Sequence, residues 1–205
     1  MSSYVAVANR AAIAVGTSAR LTAPGDNTVL GRAVAAVWDI ERKAALRAAS
    51  WNCSTERAKL PRLAEKPVHG YSAQFEIPTD CLKLQEVCGS ERLRYRREGK
   101  RRILADAAGP LEIIYTRDVT EPAEFDAGFA LAFALRIALS IGRRIAGSAF
   151  DKDRVTREYS QALADAKSAD ALENPPIEQE ESDWVLARFG SQSTATLGGW
   201  VDGGS

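Results

Sequence analysis

"FALAFALRIALSI", residues 129 to 141, decides the fold, because its two readings lead to different proteins. Large apolar side chains stand at every odd position from Phe129 to Ile141, which is the period of a β-strand. The even positions argue otherwise. Ala130, Ala132, Ala134 and Ala138 are poor strand formers and the best helix formers. An unbroken strand of this length would also be unusual. The stretch is therefore predicted to be a helix, and a helix apolar on nearly every side belongs at the centre of a bundle. Arg136, Arg143 and Arg144 keep it short of the roughly 20 apolar residues that cross a bilayer, so no membrane span is expected.

Working outward, Thr120 is placed to cap this helix, with Glu121, Glu124 and Asp126 in its first turns complementing the dipole. Downstream, Val155, Tyr159, Ala162, Leu163 and Ala166 form one stripe, predicting a helix over 149–172 that stops before Pro175 and Pro176. At the other end, residues 4–15 read as a short helix ended by Gly16. "TAPGDN" at 22–27 is a loop with Asp26 or Asn27 as the next cap. Over 28–49, Leu30, Ala33, Val34, Val37, Ile40 and Ala44 recur at helical spacing, with Arg32, Asp39, Arg42, Lys43 and Arg47 on other faces. Residues 50–71 show no period, hold two prolines, and read as an irregular connection with one helical turn.

The middle changes period. Ala73, Phe75 and Ile77 alternate with Gln74 and Glu76 and are stopped by Pro78; Leu82, Leu84 and Val87 suggest a second strand. Leu93 and Tyr95 alternate with arginines, Gly99 marks a turn, Ile103 lies on the return strand, and Leu111, Ile113 and Tyr115 alternate again. The expected fold is α+β. About four helices form a bundle from 1–70 and 118–176, residues 71–117 form an antiparallel meander or sandwich of four or five strands, and 177–205 form an acidic, Gly-rich flexible arm. Trp184, Phe189 and Trp200 in that arm are candidate anchors for a partner's pocket.

The chain is 205 residues with 45% hydrophobic and 26% charged content, the make-up of an ordinary globular protein. Its zero net charge hides an asymmetry. Residues 1–117 carry 19 Lys/Arg against 12 Asp/Glu, whereas 118–205 carry 8 against 15. Unlike halves suit head-to-tail association of identical subunits, and equally suit neutralisation within one subunit. The N-terminus lacks a basic stretch followed by a long apolar core, so no signal peptide is expected. Cys53, Cys81 and Cys88 lack metal-ligand spacing and are expected as reduced, partly buried thiols in a cytoplasmic product.

Chemistry-bearing patterns are scarce. No phosphate-binding glycine loop, zinc motif or nucleophile elbow occurs. A hydrolytic triad would have to rest on His69, the single histidine, in a Pro- and Gly-flanked connector that reads as a surface loop. Neither enzyme activity nor a cofactor is expected. What remains is the basic stretch between Arg92 and Arg102, including Arg94, Arg96, Arg97, Lys100, Arg101 and Arg102. Such a cluster with Tyr95 interleaved attracts phosphate, which makes a DNA-binding or packaging accessory one reading. Cations alternating with apolar residues are equally what a strand with one wet face displays.

In order, these pieces resemble the tail tubular protein A, or head-to-tail adaptor, family of short-tailed bacteriophages and prophages. The resemblance runs over about residues 4–176. It rests on "NRAAIAVG", "ALRAASWNCSTERAKL", Pro78-Thr79-Asp80-Cys81-Leu82, Glu98-Gly99-Lys100-Arg101-Arg102-Ile103-Leu104, the Leu111/Ile113/Tyr115 strand leading to the next helix, and "ADALENPP". Departures are Ser50 and Cys53, where Pro and Phe are common, and Glu121-Pro122 in place of Asp-Pro. The resemblance implies a non-catalytic ring, twelvefold in that family, made in the host cytoplasm and placed in the virion neck. The partners it implies are further copies, the portal protein, the next tail component (a nozzle protein) and genomic DNA passing without sequence reading. In such a ring the cations of the hairpin would face a neighbouring subunit, the tail or DNA; the tail past residue 184 lies outside the resemblance, and its aromatics Trp184, Phe189 and Trp200 are expected to anchor the portal because they stand in an otherwise flexible arm.

Overall fold

A computed structural model describes residues 2–89 and 93–173. The arm predicted at 177–205, with Trp184, Phe189 and Trp200, lies outside the described residues, as does Arg92. The deciding stretch is a helix. It lies in α3 (Ala127–Ala146), and α1 (Tyr4–Val15), α2 (Val29–Ala48) and α4 (Lys152–Glu173) all pack on it. Phe129, Ala132, Phe133, Ala134, Leu135, Ile137, Ala138 and Ile141 are buried, so the wrap-around apolarity does mark the centre of the bundle. An aromatic run lines it. Trp38 meets Phe133 edge-on at 4.7 Å, Phe129 stacks on Phe133 at 5.7 Å, and Trp51 meets Phe129 edge-on at 5.4 Å. Such contacts add about 0.5–1.5 kcal/mol each beyond area burial.

Both predicted caps move. α3 begins after Asp126, whose carboxylate accepts from the Phe129 N–H at 2.6 Å, while Thr120 is exposed well upstream. Pro122–Glu124 forms a 3-10 turn between them, which delays the helix. α2 is capped by Thr28 through the Gly31 N–H at 3.0 Å, and Asp26 instead closes the preceding loop by accepting from Thr22 and Ala23. Those two backbone donors hold the Asp26 carboxyl below its ordinary range. On α2, Ile40 is 70% exposed rather than buried, and Arg42 is 3% exposed rather than solvated. Helical spacing located the element correctly and misjudged which side chains at its edge face inward.

Among the described residues six strands make two antiparallel three-stranded sheets. The first has the order β1 (Thr55–Leu60), β6 (Leu111–Arg117), β3 (Cys81–Val87); the second has β2 (Ala73–Glu76), β5 (Arg102–Ala105), β4 (Tyr95–Glu98). They share one apolar cluster: Leu60, Leu111, Ile113, Tyr115 and Val87 from one sheet, Ala73, Phe75, Ile103 and Ala105 from the other. The fold is thus α+β, four helices with a small sandwich. The simple meander is corrected in two respects. β1 is a strand where an irregular connection is predicted, and β2 and β3, neighbours in sequence, lie in different sheets. Among the described residues only β4 and β5 form a hairpin of adjacent strands, turned at Gly99 with φ +58°. No helix among the described residues is long and apolar enough to cross a membrane.

Candidate interaction surface: the basic hairpin

Pairing of β4 with β5 sets Arg96 opposite Leu104, Arg97 opposite Ile103 and Glu98 opposite Arg102. Because side chains alternate, Ile103 and Ala105 enter the sandwich core, and Arg96, Glu98, Arg102 and Leu104 stand on the opposite face. There the segment 65–71 folds over the sheet. It forms an open groove of about 560 Å³ lined by residues that include Lys66, Val68, His69, Tyr71, Gln74, Arg94, Arg96 and Arg102. Gln74 is buried in it, donating to Glu65 at 3.4 Å and accepting from Arg102 at 3.3 Å.

Most of the hairpin's cations are engaged within the fold. Arg94 donates to Asp106 at 2.8 Å and to the Gly70 carbonyl, and lies over the Tyr71 ring at 4.8 Å. The Arg94 hydrogen bond, joined by the Ser72 N–H, holds the Asp106 carboxyl below its usual range, and Asp106 in turn raises the Arg94 guanidinium. Arg101 pairs with Glu76 at 2.5 Å, and half-buried Arg97 donates to the Lys100 carbonyl at 3.2 Å. Among the described residues only the Arg96 and Lys100 side chains of the six have no such partner. Glu65 and Glu98 line the same groove and dilute its charge further. The six cations do share one hairpin. They do not form one free basic patch.

The remaining candidates separate. His69 is exposed on the loop over the sheet. No group of three or more His, Cys, Asp or Glu side chains capable of holding a metal occurs among the described residues. Cys53, Cys81 and Cys88 are free and half-buried. Burial, with Asp126 alongside, pushes the Cys53 thiol up to about 12; burial also raises Cys81 against the pull of Arg97. Two polar clusters escaped the sequence reading. Glu41 accepts from Arg136 at 2.7 Å and from Ser140, tying α2 to α3. Buried Arg42 reaches Asp118 and the Val119 carbonyl. Their partners are separated by 76 to 99 residues, so no local spacing could have announced them. Against models of known protein families the chain gives no match, and against curated proteins it gives none either.

Proposed function

We propose that this chain is a structural head-to-tail adaptor of a short-tailed phage or prophage, forming a ring, twelvefold as in the family it resembles, between portal and tail. DNA would pass through the channel without being read. The observation that carries this reading is the engagement of the hairpin arginines: Arg94, Arg97, Arg101 and Arg102 brace strands and a loop, as a scaffold requires. A DNA reader would instead present them to phosphates. The unlike charges of residues 1–117 and 118–205 support contacts between copies that repeat around a ring. Arg96 and Lys100 are the hairpin groups open to a neighbouring subunit or the next tail component.

The test is assembly. Purified chain mixed with portal protein should give a ring-shaped complex by electron microscopy and native mass measurement. Absence of binding to the portal, together with salt-sensitive retardation of duplex DNA by the chain alone, would replace this reading with a DNA-binding accessory. Deletion of residues 184–205 should weaken portal binding if Trp184, Phe189 and Trp200 are anchors; undiminished binding would remove them from that role.

A further inference from the structure

The helices and the sandwich close two separate apolar clusters, and what joins them is mostly polar. The chain crosses between them twice, from α2 into β1 and from β6 toward α3. Beside those crossings Arg117 in β6 pairs with Glu124 at 2.6 Å and Thr55 in β1 donates to the Trp51 carbonyl at 3.0 Å; further along, the bridging side chains among the described residues come from one stretch of α2. Arg42 donates to the Asp118 carboxylate, just past β6, and also, within the helical side, to the carbonyl of Val119, whose side chain is buried in the helical cluster. Lys43 Nζ stands 3.6 Å from the other Asp118 oxygen. Arg47, further along, donates to the Leu82 carbonyl in β3. On the far side, Asp118 is fixed to the sandwich because its N–H donates to the Asp80 carbonyl at 2.8 Å. Among the described residues, Leu82 is the one strand side chain packed against the helical cluster.

An apolar joint would expose core surface on parting. A joint of ion pairs and carbonyl bonds returns its groups to water on opening, and the hydration that buried Arg42 and Asp118 regain offsets the contacts they lose. We infer that the Arg42–Asp118 pair, seconded by Lys43 and Arg47, is a latch that holds the sandwich on the bundle, and that opening it lets the sandwich swing away with both cores intact. This inference does not depend on the adaptor reading, since it concerns two bodies within one chain.

The test compares the full chain with Asp118→Ala, which removes the acceptor shared by Arg42 and Lys43, and with Leu82→Ala, which removes the apolar contact alone. Small-angle scattering should show a larger radius of gyration for Asp118→Ala at unchanged far-UV circular dichroism. Amide protection of helices and strands should then be lost at separate denaturant concentrations, whereas the natural chain should lose both together. Leu82→Ala should leave the radius unchanged. Unchanged scattering in Asp118→Ala, or expansion accompanied by loss of the far-UV signal, would overturn the latch. So would expansion in Leu82→Ala alone, because an apolar contact would then be what holds the joint. Asp118→Asn, which keeps an acceptor oxygen but no charge, should expand less than Asp118→Ala; equal expansion would remove charge from the account.

Discussion

Gly142 lies inside α3, where helix propensity alone says that alanine should stabilise by about 1 kcal/mol. The surroundings reverse that sign. A Cβ there would sit 2.4 Å from the Phe150 ring, which packs against the helical core. Gly142→Ala is therefore expected to destabilise by about 1–3 kcal/mol, read as a lower midpoint in chemical denaturation, and adding Phe150→Leu should recover part of the loss. Two other residues respond to pH. The Cys53 thiol is pushed up to about 12 by burial, and the Tyr115 phenol to about 12 by burial and then by the Asp80 and Glu56 carboxylates. Both are raised above their unfolded values, so the folded chain holds these protons more tightly. Their contribution is complete below the unfolded pKa values, near 9 for the thiol and 10 for the phenol, and is lost as pH climbs through the folded ones. Stability should fall between about pH 9 and 12, and Tyr115→Phe should flatten the upper part of that fall in a melting-temperature profile.

For the elements, the informative comparison is between two caps of α3. Asp126→Ala removes the bond to the Phe129 N–H and should cost about 0.5–2 kcal/mol, whereas Thr120→Ala should be close to neutral in the same denaturation assay. The sequence shows why the wrong residue attracts attention: Thr120 precedes acidic residues, as a cap does, but Pro122 starts a 3-10 turn and postpones the helix. The alanines of 130–138 made α3 legible against its misleading period, and Gly99 made the hairpin legible. β1 was not legible. In "TERAKL" Leu60 is the one fully buried side chain, so no alternation marks it, and its strand identity comes from pairing with distant β6, from Thr55 opposite Thr116 to Leu60 opposite Leu111. The burial of Arg42 was hidden for the same reason. Nothing beside it differs from its solvated neighbours until Asp118 arrives. The candidate surface was legible as a hairpin and as a run of cations, but the partners of Arg94, Arg101 and Arg102 come from residues 70–76 and 106, which only the folded sheet brings near; Arg97 alone finds its partner, the Lys100 carbonyl, in the turn itself.

For the molecule as a whole, the proposed scaffold and its DNA-binding alternative differ in what they expect of the chain's cations. The chain should leave duplex DNA unshifted at physiological salt in a gel retardation assay, because Arg96 and Lys100 alone offer few phosphate contacts. Replacing both by alanine should change thermal stability little, within about 0.5 kcal/mol, as for surface positions generally. Replacing Arg94 should loosen the 65–71 segment over the sheet, seen as faster amide exchange there, because its bonds to Asp106 and the Gly70 carbonyl anchor that segment.

β6 is the middle strand of its sheet, and α3 is the helix on which the other three pack; both lie in the second half of the chain. During synthesis, then, the keystones arrive late, with α4 alone of the described elements longer than one turn still to follow. A ribosome that has released residues up to about Gly109 has delivered α1, α2 and five strands with neither centrepiece to receive them, and their greasy faces must wait, open to chaperones or to one another. Translation pausing early in this message would leave sticky fragments, while pausing after α3 would leave only the face that α4 covers still open.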